Sequence, residues 1–314
     1  MVHKVEKRRE VAQRMGGLAA ALVYNPGAGS AGGNDEFLTD VRRLLRQAQI
    51  DAQVYQAQDR REIMAATAHA RRQGIQLVIA CGGDGTIETV ANMLVKTPVT
   101  LGILPAGTRN NVAANLNIPT HMAAAVSLLR DGRRRAVDMV HVRCGQEDRW
   151  LLELFTAGLL STVFENAESL QKGNLGALGD LVASFVGAMP AALHLKVEDG
   201  SGNTSMTIDA HAMMGMNMPY AGANFRVADD IADDDGYLDL FLYDQLNKLD
   251  LLAHGLAVMT DAAPDPRIRR LRVRQLALDS DPPVPILVDG VALGEGPVTM
   301  AVHRQALHVI SGRE

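Results

Sequence analysis

The apolar run Leu77-Val78-Ile79 and the helical repeat Ile87, Val90, Ala91, Leu94 are separated only by Ala80-Cys81-Gly82-Gly83-Asp84-Gly85-Thr86. A buried strand must therefore pass into a helix within a few residues. An ordinary strand-to-helix turn needs one glycine. Three around an aspartate let the backbone bend sharply and approach a ligand closely, and peptide N–H groups at a helix start attract anions. The stretch reads as a phosphate-handling turn.

The first 140 residues repeat this alternation. Leu18 to Val23 reads as a buried strand, and after the loop Asn25 to Gly33 the residues Phe37, Val41, Leu44, Leu45 and Ala48 mark one helix face. Val54-Tyr55 belongs to a second strand. Asp59-Arg60-Arg61-Glu62 has the form of a capping box, opening a helix with Ile63, Ala66 and Ala70 on one side and Gly74 as its stop. Leu77 to Ala80 and Thr100 to Leu104 are the third and fourth strands. A helix capped at Thr120 and stopped by Gly132 leads to the run from Ala136 to Val142. The pattern predicts an α/β domain, a parallel sheet with helices on both faces, with ligands beyond the carboxyl ends of the strands. The loops beginning at Asn25, Gly82 and Gly107 meet there.

After Cys144 the texture changes to short alternating runs: His194 to Val197, Ser205 to Asp209, Tyr237 to Tyr243, Ile268 to Leu278, Pro285 to Val288 and Val298 to Val302. They predict a largely antiparallel β second domain, interrupted by a helical insertion from about Ser161 to Met189.

Composition narrows the function classes. With 314 residues, two domains are the default. A net charge of -5 and an aromatic content of 4% give neither the field nor the stacking platforms of a nucleic-acid binder. Cys81 and Cys144 make no disulfide framework, and the nine histidines form no zinc motif, so a reducing cytosol is expected. Lys4 to Arg14 followed by Met15 to Val23 has the outline of a signal peptide. However, Glu6 and Glu10 interrupt the bases, the apolar run is short, and a turn follows, which favours a strand. No stretch offers the ~18 apolar residues of a membrane span; Leu175 to Leu195 contains Asp180 and Pro190.

Gly27-Ala28-Gly29-Ser30-Ala31-Gly32 matches the G-x-G-x-x-G of nicotinamide-dinucleotide sites. The second strand lacks a terminal acid for a ribose, since Asp51 precedes it and Asp59 looks like a helix cap. A nucleotide-contacting loop is the preferred reading over a dehydrogenase.

Three loops together say more than one. Asn25-Pro26-Gly27-Ala28-Gly29, Gly82 to Thr86 and Gly107-Thr108-Arg109-Asn110-Asn111 are followed by Tyr220 to Ala228, the acidic turn Asp233-Asp234-Asp235-Gly236-Tyr237-Leu238-Asp239, and Val288-Asp289-Gly290. In this order they resemble the diacylglycerol kinase catalytic-domain family, which includes bacterial lipid kinases and sphingosine kinases and is distantly related to NAD kinases. The resemblance implies an α/β nucleotide-binding domain over 1–140 and a mainly antiparallel β-sandwich over 141–314, the last residues being free to return to the first domain.

It further implies ATP and Mg²⁺ as cofactors. Gly82, Gly83, Asp84, Gly85, Thr86, Ile87 and Glu88 would wrap the phosphates, with Asp84 placed to orient Mg²⁺ or charge. Thr108 would donate a hydroxyl, Asn110 stands on the same loop, and Asn25 would brace the site. No lysine follows the glycines, so this is not a Walker A loop. By the same resemblance Asp289 would be the general base for a lipid hydroxyl, although its spacing equally fits an Asp-Gly hairpin turn. Asp235, with the carbonyls of Ala232 and Tyr237, would bind a structural Mg²⁺; a solvated acidic turn is the other reading.

The chain departs from the family pattern at three places. Asp-Gly-Glu becomes Asp289-Gly290-Val291, with Glu295 too far along to stand in. A threonine near the second strand is replaced within Gln56-Ala57-Gln58, and Glu88 stands where asparagine is usual. Two basic groups, Arg130 with Arg133 to Arg135, and Arg270, Arg272 and Arg274 on one strand face, suit either docking on an anionic membrane or a solvated surface. Leu175, Leu178, Leu181, Val182, Phe185 and Val186 suit a lipid pocket or core packing. The sequence thus points to an ATP-dependent lipid kinase in the cytosol or peripheral at a membrane, with no nucleic-acid partner and its assembly left open, a homodimer included. The alternatives are a soluble kinase of the NAD-kinase type and a catalytically weakened nucleotide- or lipid-binding protein.

Overall fold

The structure is a computed structural model that describes residues 18–29, 35–171, 183, 185, 187–221, 225–228, 230–258 and 265–312. Ser30 to Gly32 of the first glycine loop, Gly222 to Asn224, Asp229, and Leu175, Leu178, Leu181, Val182 and Val186 of the insertion lie outside the described residues, as does the stretch before Leu18. The chain divides into two compact units, one built up to Val137 and again from Gln305, the other from Asp138–Ala221 and Phe225–Arg304.

In the first unit β1 (Leu18–Tyr24), α1 (Asp35–Gln47), β2 (Ile50–Gln56), α2 (Arg60–Arg72), β3 (Leu77–Gly82), α3 (Asp84–Leu94), β4 (Thr100–Pro105), α4 (Asn111–Asn115) and α5 (Met122–Asp131) follow one another. The strands are parallel in the order β2-β1-β3-β4. The chain steps from β1 outward to β2 and then back across to β3, so right-handed crossovers put α1 and α2 on opposite faces. Accordingly α1 packs with α5, and α2 with α3.

Strands β3 and β4 are buried at every position. They therefore read as continuous apolar runs, as strands covered on both faces must. The helices bury the expected stripes: Val41 and Leu45, joined by Leu38, in α1, and Ile63, Ala66 and Ala70 in α2. Asp59 is the N-cap of α2, and its carboxylate accepts the Glu62 N–H at 2.8 Å. Glu62 returns the bond to the Gln58 N–H at 2.7 Å, one residue earlier than in a capping box. One boundary differs from expectation: α5 has His121, not Thr120, at its N-cap, with no side-chain cap bond.

The second unit begins within β5 (Arg133–Cys144) and continues with β6 (Glu147–Leu151), β7 (Leu154–Gly158), α6 (Leu159–Gln171), β8 (Ala191–Glu198), β9 (Asn203–Ala210), β10 (Ala212–Met216), β11 (Tyr220–Ala221), β12 (Phe225–Arg226), β13 (Leu238–Leu242), α7 (Lys248–Val258), β14 (Arg269–Val273), β15 (Gln275–Asp281), β16 (Pro285–Val288), β17 (Val291–Glu295) and β18 (Val298–Ser311). One antiparallel sheet has the order β14-β13-β10-β7-β16-β17. In the other, β15 lies between β8 and the first half of β18, with β9 outside β8. Both contribute to one core, including Phe155, Met213, Leu240 and Val288 from the first sheet and Leu193, Leu195, Leu276 and Met300 from the second. This is the antiparallel sandwich anticipated from the alternating runs. The second half of β18 belongs to the first unit, where His308 and Val309 pair in parallel with Thr100 and Leu101 of β4.

Asn217, fully buried beyond β10, donates its side-chain N–H groups to the carbonyls of Asp138 (3.0 Å) and Leu152 (2.9 Å). Replacing it by leucine strands two carbonyls away from water, where each unsatisfied group costs about 1–3 kcal/mol. Asn217→Leu is expected to lower the urea midpoint of the sandwich by an amount in that range, whereas the exposed Asn203→Leu is expected to leave it in place.

Candidate active site

The strand order reverses between β1 and β3, the place where an open parallel sheet offers a crevice at its carboxyl ends. Asn25 follows β1 and Gly83 follows β3. The Asn25 side chain joins their loops: Nδ2 donates to Thr86 Oγ1 at 3.1 Å, and Oδ1 accepts the Gly27 N–H at 2.9 Å. The third loop closes against the second through bare backbone. A Cβ on Gly107 would stand 2.5 Å from the Gly83 Cα, so Gly107 admits no side chain without displacing the other loop, and a Cβ on Gly83 would be tight against Gly107 at 3.3 Å.

Asn110, in the left-handed conformation at φ 56°, fixes the third loop by spending its whole amide on Gly107. Oδ1 accepts the Gly107 N–H and Nδ2 donates to the Gly107 carbonyl, each at 2.9 Å. Thr108 is exposed at the tip.

At the start of α3, the N–H groups of Thr86 (2.9 Å) and Ile87 (3.1 Å) turn back onto the Gly83 carbonyl. The Asp84 and Gly85 amides remain the first-turn donors with no helical acceptor, the arrangement that receives anions. Ile87 and Glu88 are buried in the first turns of α3. Asp84 faces elsewhere. Its Oδ1 accepts the Val112 N–H at 3.2 Å, and the Asn110 and Asn111 amides also draw on the carboxylate. Burial pushes this carboxyl up, against the pull of those amides and of Arg109. The carboxylate expected to orient Mg²⁺ or charge thus also ties the turn after β3 to the amides of the third loop.

A cavity of about 300 Å³ opens here, lined by Asn25, Ala28, Gln58, Asp59, Arg60, Ile63, Gly83, Gly85, Thr86 and Thr89. The amino-terminal ends of α2 and α3 both border it. Their dipoles add positive potential, and the exposed Arg60 guanidinium contributes a full charge, with no hydrogen bond or ion pair among the described residues. Arg60 was missed in the sequence, where it read as the interior of a capping box. Its place at a helix start just past a strand's carboxyl end was the available signal. Cys81, beside the turn, has no part in the chemistry: it is fully buried and its thiol is pushed up to about 12.

Asp289 and Gly290 form the two-residue connection between β16 and β17, with φ of 46° and 75°. Both values are those of the hairpin turn for which Asp-Gly is suited, so that reading of the spacing holds. The carboxylate is nonetheless buried and specifically held. Oδ2 accepts the Leu152 N–H at 2.7 Å, while Oδ1 accepts those of Glu153 at 2.9 Å and Leu154 at 3.0 Å. Burial is the largest influence on its protonation and pushes the carboxyl up, opposed by the three amides and Arg149. Val291, in place of the family glutamate, packs partly buried against the sandwich core.

Around the acidic turn, Asp235 Oδ1 accepts the Tyr237 N–H at 2.9 Å and Oδ2 pairs with Arg272. Ala232 and Tyr237 are half-buried beside it. Among the described residues no group of three or more His, Cys, Asp or Glu side chains is placed to hold a metal ion. The expected basic face is also occupied: Arg270 bonds Asp239 (2.7 Å) and Asp230 (2.5 Å), and Arg274 donates to the Tyr237 hydroxyl (2.9 Å). These arginines serve the acidic turn and do not make a free cationic patch. No helix among the described residues is long and apolar enough to cross a membrane.

Comparison with known proteins agrees with this layout. Residues 19–142 match the diacylglycerol kinase catalytic domain, and residues 162–311 match the YegS C-terminal NAD kinase beta sandwich-like domain. A diacylglycerol kinase of Staphylococcus saprophyticus is 24% identical over 93% of this chain and 95% of its own length, and one of Staphylococcus aureus is 25% identical over 88% and 87%. An uncharacterised protein of Synechocystis is 27% identical over 92% of this chain and 69% of its own. A crystal structure of a diacylglycerol kinase from Bacillus anthracis superposes with a TM-score of 0.74 at 20% identity, covering 94% of this chain and 97% of that one, and so shares the fold. The chain belongs to the diacylglycerol kinase-like family. It is a kinase of that family.

The loop contact is the site's most fragile point. Gly107→Ala is expected to lower the melting temperature by several degrees, the overpacking cost being about 1–3 kcal/mol. Differential scanning calorimetry reads this directly, and an unchanged melting temperature would mean that the two loops do not meet.

Proposed function

We propose that the protein transfers the γ-phosphoryl group of ATP to a hydroxyl of diacylglycerol or a closely related lipid. The observation that carries the reading is the cavity between the starts of α2 and α3, where first-turn amides with no helical acceptor, Asn25 and Arg60 surround a space suited to a polyphosphate. Membership of the family supplies the acceptor class. Phosphoryl transfer asks a protein chiefly for positioning and charge neutralisation. The Asp84 and Gly85 amides meet phosphate oxygens, Thr108 adds a hydroxyl, and Asn25, Asp84 and Asn110 keep the three loops in register. Mg²⁺ bound with the triphosphate would supply further charge neutralisation at the phosphates. Asp84, engaged by amides, fits a positioning role better than that of a ligand.

Asp289 takes the proton of the attacking lipid hydroxyl. The new bond forms between that oxygen and the γ-phosphorus, the bond to the β-phosphate oxygen breaks, and ADP departs. A carboxyl raised by burial is a stronger base than an exposed one. A second reading has its own support: with three amides on its oxygens and Val291 in place of an acid, Asp289 also fits a hairpin anchor in a nucleotide- or lipid-binding protein of weak activity.

Labelled ATP with Mg²⁺, offered with a panel of lipids and with NAD, separates these. Phosphorylated lipid supports the proposal, phosphorylated NAD alone replaces it with a soluble NAD-kinase-type activity, and nucleotide binding without transfer selects the second reading. The base is ionised only above its pKa, so lipid phosphorylation is expected to rise with pH through a value above the ordinary aspartate range. Asp289→Asn is expected to remove that limb while leaving ATP affinity nearly unchanged; undiminished turnover would refute the assignment. Arg60→Ala is expected to weaken ATP binding roughly tenfold by calorimetry. Gly85→Ala, which meets nothing within 4 Å, is expected to weaken it too while holding or raising the melting temperature, because alanine favours the helix.

A further inference from the structure

In the family reading, the acidic turn of the second unit is a place for a divalent cation, held by the Asp235 carboxylate and the carbonyls of Ala232 and Tyr237. The residues of this chain do not fit that ion. Asp235 Oδ2, the oxygen such an ion would need, is in contact with the Arg272 guanidinium, and Oδ1 accepts the Tyr237 N–H. Mg²⁺ demands near-ideal octahedral oxygen geometry, and a guanidinium in contact with the Asp235 carboxylate opposes a second cation there electrostatically.

The arginine is not there by chance of a flexible side chain. Antiparallel pairing sets Arg272 of β14 directly opposite Asp239 of β13, and alternation puts Arg270 on the same face. Arg272 lies 4.7 Å from the centre of the Tyr237 ring, and Arg274 lies 4.9 Å from it, so one aromatic ring is shared between two cations. Asp239, almost wholly buried, is bonded by Arg270 and lies 3.8 Å from Arg272 Nε. The three carboxylates Asp230, Asp235 and Asp239 therefore meet two permanently charged guanidinium groups delivered by one strand. The turn's backbone is tied independently: the Gly236 N–H donates to Asp138 Oδ2 at 2.5 Å, and the Asp138 N–H donates to the Asp233 carbonyl at 2.6 Å.

We infer that Arg272 is an internal replacement for the divalent cation, and that this acidic turn is set by the chain's own strand β14 without metal. The inference concerns the second unit alone and does not depend on ATP or lipid turnover. It is tested on the whole, nucleotide-free protein with Mn²⁺ as the probe. The wild-type melting temperature is expected to be the same in EDTA and in millimolar Mn²⁺ or Mg²⁺, and the Mn²⁺ electron-resonance signal is expected to show no bound fraction that Asp235→Asn removes. Arg272→Ala is expected to melt about 3 °C or more lower and to recover part of that loss on adding Mn²⁺, through a site abolished in the Arg272→Ala, Asp235→Asn double variant. A wild-type protein that binds Mn²⁺ through Asp235, or that EDTA destabilises, overturns the inference, as does an Arg272→Ala protein of unchanged melting temperature. The wild-type measurements decide the question if that variant fails to fold.

Discussion

Two stretches of backbone touch at Gly83 and Gly107, with no room for a side chain on Gly107, and the loops at the carboxyl ends of the first unit's strands depend on that contact. Parallel strands bring their carboxyl ends level, but level ends do not by themselves bring loops together. Here the contact lets the turn after β3 and the loop after β4 share a surface. Polar side chains then lock them: Asn25 from β1 to Thr86, Asp84 to the amides beyond Asn110, and Asn110 to its own loop. Each bond relies on the spacing that the glycines make possible.

The sandwich solves a different problem. A hairpin turn carrying an ionisable group would ordinarily leave that group in water. In this unit the Asp289 carboxylate is covered and satisfied by three successive N–H groups from the segment entering β7. Burial and hydrogen bonding act on its proton affinity with opposite sign. That balance differs in kind from the one at Asp239, where burial is opposed by guanidinium groups. The two aspartates show how one β-rich unit holds carboxyls by dipoles in one place and by full charges in another.

Much of this was legible in the sequence for definite physical reasons. Strands β1, β3 and β4 were visible because covered strands are continuous apolar runs between glycine-rich turns, and α2 because Asp59 and Glu62 stand at capping distance. Strands β7 and β10 were not anticipated. They are buried at every position and short, so Leu154 to Gly158 and Ala212 to Met216 carry no alternation to separate strand from helix. The run from Ile268 to Leu278 proved to be two strands parting at Arg274, each in a different sheet. At the site, the loops were legible because glycine and asparagine are demanded by backbone geometry. The pairing of Arg272 with Asp235 was not, because it is set by the register of strands thirty or so residues apart, which no local pattern records. Arg60 was hidden because its neighbours explained it well enough as a helix start.

The final strand serves both units. Its early residues pair with β15, and its later ones complete the parallel sheet beside β4, joining Thr100 to His308 across roughly two hundred residues. During synthesis the first unit thus emerges with one edge of its sheet bare, at β4, and stays so until β18 has been made. An exposed apolar edge of that kind invites pairing with other chains. Such non-local closure is also slow, because the loop entropy must be met before the contacts form. The first unit is therefore begun roughly two hundred residues before it can be completed.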